Sequence, residues 1–291
     1  MTAALVVRAV GGPVLVQDAG RPAQAAVGIG ASGAADRASY GLANRLLGNH
    51  PGAAALEVTL GGLELEAIGG TVWACVTGAP APVRVDDRPE PPGALLALRP
   101  GQRLRLGVPP SGLRSYVAVR GGVDVPPVLG SRSTDTLAGL GPAPLGTGDR
   151  LPVGAAVVGT IRVDAVPAST YDDAPVLRVV RGPRDGWVRD PDALVRSRWT
   201  VAPDSDRVGV RLAAADGTVL APADPDRQLP SEGTLRGAIQ VPSGGRPVVF
   251  GPDHPVTGGY PVVGVVVDAD NDRLAQLRPG ETLRFRWVSG G

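Results

Sequence analysis

Residues 98–105, LRPGQRLR, return at 277–284 as LRPGETLR. In each copy a Pro-Gly turn leads into a strand. A third stretch, GTGDRL at 146–151, has a similar form. Repetition of one turn-into-strand unit in both halves of the chain points to a duplicated β-barrel.

Outward from these turns, short Val/Leu runs bounded by Gly or Pro recur along the chain, at 4–8, 13–17, 72–77, 103–108, 115–120, 176–180, 246–250, 262–267 and 282–288. Runs of that length and composition read as strands. Glycine (42) and proline (30) are abundant but spread out, which marks turns rather than disorder. Helices are few. The clearest spans about 36–47, with Asp36 as its cap, Leu42, Ala43, Leu46 and Leu47 on one apolar face, and Gly48 as its stop. A second is expected from Asp190-Pro191, and a third over about 270–277. The polar, Pro-containing stretch 164–174 (DAVPASTYDDA) reads as a linker. The expected architecture is mainly β, in two barrel domains, 1–165 and 166–291.

Composition excludes several chemistries. Apolar residues make up 43% and aromatics 3%, so the core is built from Val, Leu and Ala. A formal net charge of +1 with interspersed signs gives no nucleic-acid or membrane footprint. No leader pattern and no long apolar run stands out, so a cytoplasmic location is expected. The single cysteine, Cys75, lies in the apolar run TVWACV and reads as a buried thiol. All 29 basic residues are arginine. Without lysine the chain forms no Schiff base, carries no Walker-type phosphate lysine and is not itself biotinylated. Any phosphate or carboxylate must be gripped by Arg, backbone N–H groups or a metal. His50 and His254 are the only histidines, no Cys/His spacing resembles a zinc site, and no metal-ligating residues are assigned.

Polar residues that are costly to bury are threaded through 16–61 among glycines and small apolar residues. Gln17, Asp18 and Arg21 in VQDAGRP either bond a turn or orient a ligand at a barrel mouth. Ser32 and Asp36 either cap the helix or help present its N–H groups to an anion. Asn44 and Glu57 are buried polar candidates. In GSRSTDTLAG (130–139), Ser131, Arg132 and Ser133 suit a clamp for a phosphate or carboxylate. SDRVGVRL (205–212) reads as a half-buried strand with Val208, Val210 and Leu212 on one face and Arg207, Gly209 and Arg211 on the other, and Asp206 beside Arg207 as a possible ion pair. Downstream, Glu232 supplies a carboxylate, Gln240 an amide and Tyr260 a phenol, while Gly258 and Gly259 permit close backbone approach. His254 follows Asp253, but adjacent strand residues point to opposite faces, which argues against their pairing.

The blocks VQDAGRP, SGAADRASYGLANRLLGN, ALEVTLGG, YVAVRGGVDVPPVLGSRST, RVVRGPRDGW, SDRVGVRL, SEGTLRGAIQVPSGGRPVV and TGGYP, in this order, resemble the family of 5-oxoprolinase C subunits. The same group is described as KipA-like, as allophanate hydrolase subunit two, or as the biotin-dependent carboxyltransferase family. The resemblance spans nearly the whole chain. It implies two cyclophilin-like β-barrels and two partners, a KipI-like protein as the B subunit, and a LamB/YcsF-like protein as the A subunit. It also implies ATP-dependent cleavage of 5-oxo-L-proline to L-glutamate, with ATP and Mg²⁺ acting in the complex. In that reading Asp18, Asp36, Glu232 and Tyr260 are the expected catalytic residues. Gln17, Arg21, Ser32, Ser131, Arg132, Ser133, Arg207, Gln240, Thr257, Gly258 and Gly259 are expected to bind substrate or phosphate. Two alternatives accompany it: the carboxyltransferase half of a urea carboxylase-like system using biotin carried in trans, and a non-catalytic regulator of a KipI-type kinase inhibitor. The chain departs from the family at Pro255-Val256, where Gln-Thr is usual, and at Val208 and Ala35, where Met is usual.

Overall fold

The computed structural model describes residues 2–171 and 173–289. The chain divides into two compact units. The N-terminal unit comprises Met1–Arg21, Ser32–Asp135 and Gly139–Tyr171; the C-terminal unit takes Pro22–Ala31, Thr136–Ala138 and Asp172–Gly291.

The N-terminal unit carries, in chain order, β1 (Ala4–Ala9), β2 (Val14–Gln17), α1 (Arg37–Leu46), β3 (Ala55–Thr59), β4 (Leu63–Ile68), β5 (Val72–Gly78) and β6 (Val83–Val85). It continues with β7 (Arg88–Glu90), β8 (Leu95–Leu98), β9 (Arg103–Leu106), β10 (Arg114–Val119) and β11 (Arg150–Pro152). These strands form a six-stranded sheet, β11-β1-β4-β9-β6-β7, and a five-stranded sheet, β2-β3-β10-β5-β8. One apolar cluster draws on both: Leu5, Leu65 and Leu104 from the first, Val16, Leu56 and Val117 from the second. The unit is therefore a sandwich with a shared core.

Its strands read differently according to what covers them. β4 (LELEAI) alternates buried and half-buried residues, and the outward Glu64 and Glu66 face Arg105 and Arg103 of β9 in register. Arg8, Glu66, Arg103, Glu64 and Arg105 form a chain of ion pairs at 2.8–3.2 Å across three strands. β10 (RSYVAV) is buried at every position, because α1 covers the sheet's other face through Tyr40, Ala43, Leu46 and Leu47. Cys75 lies under this helix, and burial pushes its thiol up to about 12. Asp36 caps α1 as expected, accepting from Ser39 N at 2.9 Å, and Gly48 follows the helix at φ +62°.

The repeated turns share one geometry. In Arg99-Pro100-Gly101-Gln102 the fourth residue's N–H donates to the first residue's carbonyl at 2.9 Å, with Gly101 at φ +87°. Gln102 Oε1 in turn accepts from Arg99 N at 3.0 Å. Arg278-Pro279-Gly280-Glu281 repeats this with Gly280 at φ +87°, the backbone bond at 3.0 Å and Glu281 Oε2 on Arg278 N at 2.9 Å. Gly146–Asp149 repeats it again, with Gly148 at φ +98° and Asp149 Oδ2 on Gly146 N at 2.8 Å. What precedes the turns differs: β8 before the first, a helix before the second.

The C-terminal unit carries β12 (Val176–Arg181), α2 (Ala193–Arg196), β13 (Trp199–Val201), β14 (Gly209–Ala214), β15 (Glu232–Gly233) and β16 (Ala238–Gln240). It ends with β17 (Val248–Phe250), β18 (Thr257–Gly258), β19 (Val262–Val266), α3 (Asp268–Leu274) and β20 (Thr282–Trp287). Seven strands close a barrel in the order β12-β19-β16-β17-β14-β13-β20. Its β12–β20 contact is parallel and every other pairing is antiparallel. Leu177, Trp199, Leu212, Ile239, Val249 and Phe285 meet inside, and Trp199 Nε1 donates to Leu194 O on α2 at 2.8 Å. α3 begins two residues before the earliest expected start. β15 and β18 form a separate small ribbon. The mainly β architecture matches the expectation from sequence; the closed barrel lies in the C-terminal unit.

Candidate functional site

The N-terminal polar segment is a buried network, satisfied at Asp18 but with Gln17 Oε1 and Arg21 Nε and Nη1 lacking a hydrogen-bond partner among the described residues. Asp18, buried at the end of β2, accepts from Ser131 Oγ and Ser133 Oγ, each at 2.6 Å, from Gly20 N at 2.8 Å and from Arg132 N at 2.6 Å. Gln17 Nε2 donates to Thr134 O at 2.8 Å, and Ser32 Oγ donates to the same carbonyl at 3.2 Å. Arg21 Nη2 donates to Ser133 O, and Nη1 lies 3.5 Å from Asp135 Oδ2. The structure thus brings Gln17, Asp18, Arg21, Ser32, Ser131 and Ser133 together as a clamp on loop 131–135. Arg132 joins through its backbone, while its side chain turns back onto Val125 O and Asp124. Four donors occupy the Asp18 carboxylate, so its geometry is that of a loop anchor.

Next to it stands a second network that sequence alone does not assemble. Glu57 on β3 and Tyr116 on β10 are register partners, and Tyr116 OH donates to Glu57 Oε2 at 2.8 Å. Tyr116 OH accepts from Asp36 N at 2.7 Å, and Glu57 Oε2 from Ala35 N at 2.9 Å. Arg114 Nε lies 3.4 Å from Glu57 Oε1. Burial, and then the Glu57 charge, hold the Tyr116 phenol well above its ordinary value. The Asp36 carboxylate is engaged by Ser39 N and by Ser39 Oγ at 2.7 Å, which fixes the start of α1. The available signal was a single Glu in the apolar run AALEVTL.

In the C-terminal unit Arg207 is buried and precedes the strand, which begins only at Gly209, and its partner is Asp253 rather than Asp206. Nε and Nη2 grip the two carboxylate oxygens at 2.9 and 3.0 Å. Thr136 N and Oγ1 also donate to Asp253 Oδ2, at 2.9 and 2.7 Å. Asp206 instead accepts from Val208 N and Gly209 N and shapes the turn. His254 turns away from Asp253. Its Nδ1 lies 2.8 Å from Pro255 O, which requires the proton on Nδ1, and its ring stacks on Phe250.

The remaining candidates surround the β15–β18 ribbon, where Glu232 is paired with Gly258 and Gly233 with Thr257. Arg184 donates to Glu232 through Nε, at 3.1 and 3.2 Å, and through Nη2. That guanidinium holds the Glu232 carboxyl below its ordinary value. A carboxylate neutralised in this way is a weak base and a good anchor. Gln240 Nε2 donates to Tyr260 O at 3.1 Å and would lie 2.5 Å from a Cβ at position 258. Gly258 is therefore glycine to let the Gln240 amide pass. Thr257 is exposed.

Tyr260, half exposed, and Gly259 line a cavity of about 580 Å³ entirely within this unit. Trp187, Arg227, Gln228 and Ser243 line it with them. Trp187 and Arg227 do not stand out in the sequence; a Trp just after a Gly-Pro turn (GPRDGW) was the available signal. Among the described residues no group of three or more His, Cys, Asp or Glu side chains is placed to hold a metal. No described helix is long and apolar enough to cross a membrane.

Comparison with known proteins gives this geometry a family. The carboxyltransferase domain, subdomain A and B, matches residues 27–287. The chain is 40% identical over 277 residues to the 5-oxoprolinase C subunit of Escherichia coli, covering 93% of this chain and 86% of that protein. The crystal structure of TTHA0988 superposes with a TM-score of 0.85 at 36% identity, covering 98% of this chain and 56% of that one. Kluyveromyces lactis urea carboxylase superposes with a TM-score of 0.89 at 28% identity; the match covers 99% of this chain but 28% of the longer protein. The chain belongs to the carboxyltransferase domain family, subdomains A and B.

Proposed function

We propose that this protein is the C subunit of an ATP-dependent 5-oxoprolinase, acting with a KipI-like protein and a LamB/YcsF-like protein as its B and A subunits. The observation that carries the reading is the 40% identity to a 5-oxoprolinase C subunit, which extends over nearly all of both chains. A lactam is a poor electrophile. Transfer of the terminal phosphoryl group of ATP to its carbonyl oxygen breaks the bond to ADP and activates the ring carbon. One water then attacks that carbon and expels the ring nitrogen, and a second releases phosphate, giving glutamate. Within this chain we assign Tyr260 to the substrate side as a proton donor, and Gln240 and the Arg184–Glu232 pair to its support. Asp18, Asp36, Arg21, Ser32 and the 131–133 loop fix the backbone of the other unit.

A second reading, carboxyl transfer, is favoured by the likeness to urea carboxylase. With no lysine in the chain, biotin would have to arrive on another protein. Glutamate formation by the complex of all three proteins in the presence of avidin separates the two. Unchanged turnover is expected, whereas loss of turnover on adding avidin assigns the chain to biotin-dependent carboxyl transfer.

A further inference from the structure

The cavity beside Tyr260 is far larger than a five-membered lactam carboxylate requires, and about 580 Å³ falls within the range of pockets that enclose much bigger ligands. Its walls are fixed by backbone bonds. Ala223 N donates to Trp187 O at 2.8 Å, Arg189 N to Ala221 O at 2.9 Å, Val241 N to Pro261 O at 3.0 Å, and Leu220 N to Gly245 O at 2.8 Å. The site is thus preformed.

Its lining carries one cation, Arg227, and one carboxylate, Asp224, whose Oδ1 already accepts from Asp226 N at 3.0 Å. The Arg227 guanidinium stacks 3.8 Å above the Trp187 ring, and no carboxylate pairs with it among the described residues. The ring covers one side of the guanidinium, and its N–H groups, which suit a carboxylate or phosphate, are not taken by a carboxylate of the described residues. The Tyr260 ring and prolines 222, 225, 242 and 261 supply flat apolar surface. At Gly259 a Cβ would meet nothing nearer than Leu229 O at 3.8 Å, and φ there is not positive. The missing side chain leaves room for a ligand, and the backbone does not demand glycine.

We infer that this cavity binds a flat, ring-bearing organic anion larger than 5-oxoproline. Its ring packs against Tyr260 and the prolines, and its single carboxylate or phosphate sits on Arg227. This deepens the proposed function by adding a second ligand at Tyr260. Its test reads binding to the full chain without partners or turnover, so the two readings fail separately.

The probe is 8-anilino-1-naphthalenesulfonate, an aromatic monoanion whose fluorescence rises on burial. Saturable binding at one site per chain is expected. Arg227→Gln should raise its Kd about tenfold. Gly259→Leu, which fills the cavity, should abolish the binding; Arg227 is exposed, so its variant keeps the test valid if Gly259→Leu folds poorly. Adenosine 5′-monophosphate and indole-3-acetate, a phosphate and a carboxylate of the class, are added as competitors. At least one should displace the dye at a lower concentration than 5-oxoproline does. Equal dye affinity in wild type and Arg227→Gln, displacement by neither competitor, or displacement by 5-oxoproline at least as tight as by either competitor overturns the inference.

Discussion

Asp18 accepts from four donors supplied by residues up to 115 positions away, and that count sets the cost of removing it. Asp18→Ala strands two hydroxyls and two backbone N–H groups in a buried site. It should destabilise the protein by about 2–4 kcal/mol, read as a lower urea midpoint at unchanged m-value. Asp18→Asn keeps the shape and the three pairings on Oδ1, so a smaller loss is expected. Arg207→Lys replaces a two-pronged grip on Asp253 by a point charge and should cost about 2–3 kcal/mol by the same measurement. Both residue types and their candidacy were legible in the sequence, because charged residues among glycines and small apolar residues are costly to bury. Their partners were not. Arg207 and Asp253 are 46 positions apart, and Asp206, the neighbour in sequence, is the more obvious partner until the turn geometry assigns it to backbone N–H groups. Glu57 and Tyr116 illustrate the same limit: only strand register puts them side by side.

The repeated turn was the most legible element, since its Pro-Gly pair and the polar residue that follows encode the whole geometry locally. Gly101 and Gly280 both sit at φ +87° with nothing within 4 Å of an added Cβ, so any penalty for alanine there is conformational. Gly101→Ala and Gly280→Ala should each cost about 1–2 kcal/mol. Gly244→Ala, at ordinary φ and equally open, should be neutral or slightly stabilising; thermal melts of the three variants check this. The β4–β9 ladder sets an acid limit on the same unit. Hydrogen bonds from Arg105 hold Glu64 below its ordinary value, and the Arg103 N–H does the same for Asp86. A depressed folded-state pKa contributes stability above the unfolded carboxylate range, and that contribution is lost as pH falls through the folded value. Arg105→Ala should therefore lower Tm at neutral pH, with the difference from wild type shrinking in acid. β10 was legible to within a residue from its apolar run, although α1 covers its second face and leaves no polar alternation.

At the scale of the molecule, the mainly β class followed from turn punctuation, but the number of closed barrels depends on pairings far apart in sequence. The barrel closes through β12 and β20, whose partners lie about a hundred residues apart, and no local pattern announces that contact. The same holds for the cavity: Trp187, Arg227 and Tyr260 come from three separate segments. If Tyr260 is the proton donor proposed here, Tyr260→Phe should lower kcat of the assembled enzyme about 100-fold with little change in KM. The most direct test of the central claim is glutamate formation from 5-oxoproline and ATP by this chain purified together with its KipI-like and LamB/YcsF-like partners. The account predicts glutamate in step with ADP, and its disappearance when this chain is left out. A well-formed complex that hydrolyses ATP without 5-oxoproline dependence, or that makes glutamate equally well without this chain, would contradict it.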